Sequence, residues 1–280
     1  MTPRITCALF AVTLFAGCGE TPDPDTTPDA AVASTWMPLV TKTWSLPPGG
    51  ENESDLQIIN ITEDMYVGGI RPLAPEGTHH TLLFRGLSGT NAIYASGVGT
   101  NELMFPPGTG LKLTAGTVLG LQLHIYNTRD ETLTGLSGVE VLPIDQADVV
   151  EEIDVFLPGP RNLSLPANQV STNSGTCTVS SAQKLFALFP HMHQLGTHFK
   201  TTLTIGGVDQ VLHDEAYDFQ HQPVKAFAPI QLTSGDKITT ECTWNNTGST
   251  VVTYGESSTT EMCYSILYRY PRGSEEFCSQ

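Results

Sequence analysis

Glycine and proline punctuate this chain from end to end, with 26 Gly and 19 Pro among its 280 residues. Between them lie short runs in which apolar and β-branched residues alternate with polar ones, the pattern of strands that bury one face. Charged residues make up only 15% of the chain and hydrophobic residues 39%, and no stretch shows convincing helical periodicity. We therefore expect an all-β protein of short strands joined by turns.

The apolar runs form two series along the chain. The first series comprises residues 57–61, 65–70, 79–84, 117–126 and 138–142, and the second comprises residues 150–156, 184–193, 198–205, 237–244, 250–254 and 263–270. A chain of this length exceeds what one hydrophobic core usually organises. We predict two consecutive antiparallel, jelly-roll-like β-sandwich domains, residues 36–147 and 148–280.

The charge of the chain bears on its partners. The formal net charge is −16 at pH 7, and Lys and Arg are nowhere dense enough to follow a phosphate backbone. Nucleic-acid binding depends on such clustered cations. The composition therefore argues against a nucleic-acid partner, and the acidic surface favours solubility.

Residues 1–18 have the composition of an export signal. A basic residue, Arg4, precedes an apolar run, residues 5–16, that is too short to span a bilayer. Residues 14–18, Leu-Phe-Ala-Gly-Cys, resemble the lipobox of bacterial lipoproteins, in which the cysteine is acylated. Cys18 is therefore predicted to carry a lipid, and an ordinary secretory signal with an incidental Cys18 is the alternative.

Two further features fit export. Residues 19–35 are rich in Thr, Pro and Asp, the composition of a disordered tether. Apart from Cys7 and Cys18, the cysteines are even in number and lie in the C-terminal half, which favours two disulfides there. We expect a protein anchored to a membrane only through its lipid, facing the periplasm or the cell surface, or otherwise secreted.

Four short motifs carry residues that can bind a metal ion. They are Thr78-His79-His80, Leu121-Gln122-Leu123-His124, His191-Met192-His193 and Glu261-Met262-Cys263. Each is weak alone, because a lone His in a strand is more often structural than a ligand. Five of the eight histidines occur in such contexts, which favours ligation. The other three, His198, His213 and His221, are interpreted as surface or structural residues.

Strand geometry places several of these side chains on common faces. His191 and His193 are two residues apart and project from the same face, about 7 Å from each other along the strand. His124 lies on the polar face of a strand whose other face is apolar. The adjacent His79 and His80 cannot both face one ion from a regular strand, so they require a strand end or a bulge.

Met262 bears on the identity of the metal. Zinc normally takes Cys, His or carboxylate ligands, whereas a thioether is a soft ligand that suits Cu(I). A set of two histidines and a methionine therefore favours copper that cycles between oxidation states. The alternative is that Met262 only fills the core.

The order of the four motifs resembles that of the ascorbate-dependent type II copper monooxygenases, the family of peptidylglycine α-hydroxylating monooxygenase and dopamine β-monooxygenase. The resemblance covers most of residues 60–280 and includes Tyr-Val-Gly-Gly-Ile-Arg-Pro at 66–72 and Glu-Met-Cys-Tyr-Ser-Ile-Leu-Tyr-Arg-Tyr-Pro at 261–271. It implies two copper ions. The implied ligands are His79, His80 and His124 for one ion and His191, His193 and Met262 for the other.

The resemblance also implies the chemistry. Ascorbate or another one-electron reductant is the implied electron donor, and the substrate is a small molecule hydroxylated at a C–H bond with O₂. The implied catalytic residues are His191, His193 and Met262, while the other copper supplies the second electron. The resemblance further implies a Cys242–Cys263 disulfide, with Cys177–Cys278 as the second.

One departure from the family concerns the substrate. Peptide-processing members carry an Arg two residues before the His-x-His motif, and Phe189 stands there in this chain. Strand alternation puts Tyr264, Ile266 and Tyr268 on the face of Met262. We predict that these four residues line a pocket for a neutral, largely apolar substrate. The alternative is that they are core.

Two other functions remain open at this point. The same ligands could serve a non-catalytic copper-binding surface lipoprotein, because ligands alone do not guarantee a substrate pocket. A structural β-sandwich adhesion module, with incidental His and Met residues, is the third possibility.

Overall fold

The computed structural model describes residues 35–87, 91–255, 257, 259–274 and 276–278. These residues form an all-β fold, which confirms the predicted fold class; the helical structure among them is a 3-10 turn, Gln146–Asp148. No helix in this part of the chain is long and apolar enough to cross a membrane. Cys18, the export signal 1–18 and nearly all of the tether 19–35 lie outside the described residues.

The strands of the N-terminal half precede the 3-10 turn. They are β1 (Met37–Leu46), β2 (Glu51–Asn60), β3 (Met65–Leu73), β4 (Thr78–Arg85), β5 (Ala92–Gly97), β6 (Leu103–Met104), β7 (Thr109–Leu113), β8 (Val118–Tyr126) and β9 (Leu133–Ile144).

The strands of the C-terminal half follow it. They are β10 (Glu151–Glu152), β11 (Asp154–Pro158), β12 (Ser164–Leu165), β13 (Gln169–Thr178), β14 (Gln183–Met192), β15 (Gly196–Ile205), β16 (Val208–Ala216), β17 (Lys225–Leu232), β18 (Lys237–Asn246), β19 (Val252–Thr253), β20 (Cys263–Tyr270) and β21 (Phe277–Cys278).

Two sheets build the N-terminal half. One has the order β1-β9-β3-β7-β10, with β6 beside β3, and the other has the order β2-β8-β4-β5. Apolar side chains from both sheets meet in one core, among them Ile70 and Val141 from the first sheet and Leu83, Leu121 and Leu123 from the second. All five are fully buried, so the two sheets form a sandwich around them.

The C-terminal half is also built from two larger sheets. Their orders are β17-β14-β20-β11-β21 and β13-β18-β15-β16, and β12 pairs with β19. Leu188 and Leu267 from the first sheet pack with Leu203 and Ile238 from the second. These side chains are 0–1% exposed, so this half has a core of its own.

The pair β14–β20 lies between two cores, because its side chains alternate. Leu188 and Leu267 point into the core of the C-terminal half. Phe189 and Tyr268, on the opposite face, pack in the core that includes Tyr94 of the N-terminal half. All described residues belong to one compact unit, and the division into domains 36–147 and 148–280 stays a prediction.

Two disulfides stabilise the C-terminal half, in the pairings that the family resemblance implies. Cys242–Cys263 joins β18 to β20 and spans 21 residues, and Cys177–Cys278 joins β13 to β21 and spans 101 residues. Both bonds connect different sheets of this half. The pair Cys242–Cys263 ends next to Met262, so it anchors the start of β20.

Candidate metal centres

The first centre consists of His79, His80 and His124, called here the N-terminal histidine cluster. His80 in β4 lies opposite His124 in β8, and the register of the two strands shifts between Thr78 and His80. This bulge removes the strict alternation that would send His79 to the other face. The Nδ1 atoms of His79 and His80 are 2.9 Å apart, and one ligand atom from each of the three residues lies within 4.8 Å of the others.

Hydrogen bonds hold the outer side of this cluster. His124 Nε2 is 2.6 Å from a carboxylate oxygen of Glu51, and His79 Nε2 is hydrogen-bonded to Gln220 Oε1. An imidazole that uses Nε2 in this way presents Nδ1 to the centre of the cluster. The three histidines can therefore converge on one ion.

The segment Asp218–Gln222 of the C-terminal half covers the cluster. The ring of Phe219 lies 5.3 Å from the ring of His79 and 5.0 Å from that of His80, measured between centroids. Gln222 places its amide nitrogen 2.7 Å from His80 Nε2. His79 and His80 thus receive outer contacts from the other half of the chain.

Burial keeps two histidines of the cluster, His79 and His80, uncharged. Desolvation lowers the pKa of His79 and holds the pKa of His80 well below its usual value, and neighbouring histidines add to the effect at His80. Both residues are therefore neutral at pH 7 in the metal-free protein. A neutral imidazole offers a lone pair, which is the form that binds a metal.

The second centre, called here the His191 site, comprises His191, His193 and Met262. His191 lies near the end of β14, directly opposite Tyr264 in β20, and Met262 immediately precedes β20. The rings of His191 and His193 are 5.2 Å apart between centroids. Met262 packs against the core shared by the two halves, so its side chain lies on the same face of the sheet as His191.

The tautomers of the two imidazoles are set by their partners. His193 donates from Nδ1 to the carbonyl oxygen of Thr260 at 2.8 Å, and His191 Nδ1 is 3.3 Å from the amide oxygen of Gln222. Both contacts put the ring proton on Nδ1, because a carbonyl oxygen can only accept. The Nε2 lone pairs of His191 and His193 are thus left for a ligand.

Burial also keeps this site uncharged. Desolvation, together with the smaller effect of the nearby His193, lowers the pKa of His191 to about 3. The pKa of His193 is lowered by burial too, although its hydrogen bond to Thr260 opposes this effect. Both imidazoles are therefore neutral over the whole physiological range.

Glu261 fixes the turn that carries His193. Its buried carboxylate accepts from the backbone N–H of His193 at 2.9 Å, the backbone N–H of Leu195 at 2.7 Å and the indole N–H of Trp244 at 2.9 Å. Burial raises the pKa of Glu261 and these hydrogen bonds lower it. The carboxylate therefore ties the segment after β14 to the segment that begins β20, the two segments that carry the His191 site.

The four residues predicted to line a pocket are buried. Phe189, Tyr264 and Ile266 are 2%, 2% and 5% exposed, and Tyr268 is fully buried. All pack in the core between the halves; the ring of Phe189 stacks on that of His191 with centroids 5.9 Å apart. Their burial agrees with the core alternative, and their role as substrate-lining residues stays a prediction.

Sequence reasoning missed the outer contacts of both sites. The residues concerned are Glu51, Phe219, Gln220, Gln222 and Thr260. None stands in a motif, since each comes from a strand or turn distant in sequence from the ligand that it contacts. His221, which the sequence analysis interpreted as surface or structural, belongs to the segment Asp218–Gln222. It lies against Gly99 of the N-terminal half.

Comparison with known proteins gives a consistent picture. A family model described as "Copper type II ascorbate-dependent monooxygenase, C-terminal domain" matches residues 147–280. The chain is 29% identical over 216 residues to "DBH-like monooxygenase protein 1" of Mus musculus, covering 67% of this chain and 34% of that protein.

Two more distant relatives cover similar parts of the chain. "Peptidyl-glycine alpha-amidating monooxygenase A" of Xenopus laevis is 25% identical over 247 residues, covering 75% of this chain and 25% of the relative. "Dopamine beta-hydroxylase" of Rattus norvegicus is 24% identical over 210 residues, covering 67% and 33%. The chain thus spans between a quarter and a third of the length of these relatives.

The donor sets fit the metal named in the family description. Three imidazoles in one centre, and two imidazoles with a thioether on the same face of the sheet in the other, are ligands that bind copper in both of its common oxidation states. In both centres the outer hydrogen bonds set the orientation of the rings. Copper is therefore compatible with the residues present.

Proposed function

We propose that the chain is a copper type II, ascorbate-dependent monooxygenase, which the match of residues 147–280 to the C-terminal-domain model of that family supports, and that it hydroxylates a C–H bond of a small, neutral substrate. The reaction consumes one O₂, two electrons and two protons for each hydroxyl group formed and releases one water. Ascorbate or another one-electron reductant donates the electrons. The partners are the substrate and O₂, with no nucleic acid involved.

The observation that carries the proposal is the pair of histidine centres with their ring orientations fixed from outside. Copper, when bound, supplies the redox chemistry of O₂ activation and C–H oxidation. His79, His80 and His124 would hold one ion, and His191, His193 and Met262 would hold the other. In each centre the protein's contribution is to aim the imidazoles through their outer hydrogen bonds, and burial keeps four of them neutral, namely His79, His80, His191 and His193.

The proposed substrate class follows from charge. Phe189 stacks on His191, and the neighbouring face of β20 carries tyrosine and isoleucine side chains. None of these groups can pair with a carboxylate. A neutral, largely apolar substrate is therefore proposed, oriented by hydroxyl groups such as that of Tyr264, which is 3.0 Å from the hydroxyl of Tyr254.

The experiment that tests the function combines metal analysis with oxygen uptake. Copper-reconstituted protein should hold about two copper ions per chain and, with ascorbate, should consume O₂ in proportion to hydroxylated product from a panel of small neutral aromatic and aliphatic compounds. Copper binding without product would identify a non-catalytic copper-binding protein. Failure to retain copper would contradict the family's chemistry in this chain and favour a structural module.

The cellular location is proposed on separate grounds. Two disulfides in the described residues are typical of an exported protein, and Cys18 is the proposed acylation site of a membrane-anchored lipoprotein. A Cys18→Ser protein should lose detergent-phase partitioning while its copper content is unchanged. Partitioning that survives this substitution would contradict the lipid anchor.

A further inference from the structure

Gln222 connects the two metal centres through its side-chain amide. The residue is 2% exposed and lies between β16 and β17. Its amide nitrogen is 2.7 Å from His80 Nε2, and its amide oxygen is 3.3 Å from His191 Nδ1. One amide group therefore contacts a candidate ligand of each centre.

The N-terminal half is shaped to receive this side chain. Gly97 in β5 pairs with His80, and a Cβ atom added at Gly97 would lie 2.9 Å from the Cβ of Gln222 and 3.0 Å from its carbonyl oxygen. The hydroxyl of Thr100 donates to that carbonyl oxygen at 3.2 Å. The close approach of Gln222 thus depends on a glycine and a hydrogen-bond donor of the opposite half.

The hydrogen-bond inventory of the amide determines where the ring protons lie. The two amide hydrogens of Gln222 are used by His80 Nε2 and by the carbonyl oxygen of Phe219, at 2.7 and 2.8 Å. His80 Nε2 therefore accepts, and the proton of the neutral ring is on Nδ1, 2.9 Å from His79 Nδ1. The amide oxygen accepts from His191 Nδ1–H, which leaves His191 Nε2 free.

Copper binding at His80 disturbs this arrangement. Coordination through His80 Nδ1, beside His79 Nδ1, requires the ring proton to move to Nε2, where it meets an N–H of Gln222. The amide must then turn to offer its oxygen to His80. Its NH₂ group would face the N–H of His191 and its oxygen would face the carbonyl of Phe219, both repulsive contacts.

We infer that Gln222 couples the two copper sites, so that copper at the N-terminal histidine cluster weakens copper binding at the His191 site. The inference rests on the proposed function, because it requires both centres to take copper. Coupling of this kind is reciprocal, so copper at the His191 site weakens the N-terminal site by the same factor. Gln222 is in this sense a positioning residue that acts through His80 and His191.

A thermodynamic cycle with Cu(I) under anaerobic conditions tests the coupling. Competition with a chromophoric Cu(I) chelator gives the overall constant for two ions in the native protein, the single-site constant of the His191 site in His124→Ala and that of the N-terminal cluster in His193→Ala. Without coupling, the overall constant equals the product of the two single-site constants. We expect it to be about one fifth of that product or less.

Two variants test whether the amide of Gln222 carries the coupling. In a Gln222→Leu background, which keeps the side-chain volume and removes the hydrogen bonds, the overall constant should return to the product of the single-site constants. The same cycle in Gln146→Ala, an exposed glutamine of the 3-10 turn, should keep the native coupling. Uncoupled sites in the native protein, or equal coupling in native and Gln222→Leu proteins, would overturn the inference.

A spectroscopic readout tests the mechanism without relying on the Gln222 variant. ¹⁵N NMR of the histidine rings should place the His80 proton on Nδ1 in metal-free protein and on Nε2 after one Cu(I) is added to His193→Ala. A metal-free protein with the His80 proton on Nε2 would refute the inferred amide orientation. Copper at both centres with independent constants overturns only this inference, whereas absence of copper binding also contradicts the proposed function.

Discussion

The imidazoles of the two centres are hydrogen-bonded to their outer partners through different ring nitrogens. The outer partners of His79 and His124 contact Nε2, whereas those of His191 and His193 contact Nδ1. The atom left for a metal is therefore Nδ1 in the N-terminal histidine cluster and Nε2 in the His191 site. This difference arises from backbone carbonyls and side chains outside the motifs, so the motifs alone could not predict it.

The His191 site is expected to be essential for turnover and dispensable for folding. His191→Ala or Met262→Ala should abolish hydroxylation, because each removes a proposed ligand, while urea unfolding stays cooperative. Oxygen uptake with product analysis on copper-reconstituted protein is the measurement. His198→Ala, which removes an imidazole that lies 3.0 Å from a carboxylate oxygen of Asp214, in the sheet that does not carry His191, is the matched control. Full turnover in either ligand variant would refute the site assignment.

Glu261 is predicted to contribute to stability through its three hydrogen bonds. Glu261→Gln keeps the shape of the side chain but turns an NH₂ group toward backbone or indole N–H donors, so we expect a loss of about 2–3 kcal/mol in the free energy of unfolding. Urea denaturation measures this loss. The same change at Glu131, whose side chain is 77% exposed, should have little effect. Equal stability of both variants would mean that the buried carboxylate does not anchor this turn.

Among the strands, several in the middle of sheets were predictable, whereas most of those at edges were not. β4, β8 and β20 carry alternating or continuous apolar residues, and their predicted bounds agree with the structure to within one residue. The sequence analysis missed β1, β5, β13, β16 and β17, which all end a sheet, and also β7, which lies between β3 and β10. An edge strand packs against a single neighbour, and its mixed polar sequence, as in β13 and β16, gives a weak pattern.

The two disulfides should differ in what they stabilise. In the chain-entropy model the longer Cys177–Cys278 loop, 101 residues, contributes about 4.7 kcal/mol and the shorter Cys242–Cys263 loop, 21 residues, contributes about 3 kcal/mol. Replacing both cysteines of the longer loop by alanine should therefore destabilise the protein more in urea.

The affinity of the His191 site for Cu(I) should depend on the disulfide of the shorter loop and not on that of the longer loop. Cys263 directly follows Met262, so removal of the Cys242–Cys263 bond should loosen the start of β20 and weaken Cu(I) binding at the His191 site by about tenfold. Removal of Cys177–Cys278 should leave this affinity unchanged. Chelator competition on the two double variants is the measurement, and equal affinities would show that the disulfide does not position Met262.

At the scale of the whole molecule, the sequence predicted the fold class and both disulfide pairings, and the structure confirms them. The predicted family agrees with the family model that matches residues 147–280. The two ligand sets came from the motifs together with the family resemblance, and they stay a prediction. Strand alternation and the requirement for a bulge at His79 follow from local sequence. The contact of segment Asp218–Gln222 with the N-terminal cluster depends on how the two halves pack. No local pattern carries that information, and it could not be predicted.

The packing of neutral imidazoles between the halves predicts how stability depends on pH in the metal-free protein. His191 has its pKa lowered from 6.5 to about 3 in the folded state, so below pH 6.5 the unfolded chain takes up a proton that the folded protein does not. The free energy of unfolding must then fall with falling pH, by up to about 1.4 kcal/mol per pH unit from this residue. His79, His80 and His193 act in the same direction.

Urea unfolding of metal-free protein between about pH 7.5 and about pH 5 measures this effect, because most carboxylates with lowered pKa values contribute only below that window. Glu261, whose pKa is raised, opposes the trend where it titrates, so the comparison must be with a variant. His191→Asn, which is neutral at every pH, should lose stability less steeply than the native protein as the pH falls. His198→Asn should retain the native slope, because it leaves the buried imidazoles in place. Identical slopes in the native and His191→Asn proteins would mean that His191 takes up its proton in the folded state as readily as in the unfolded chain.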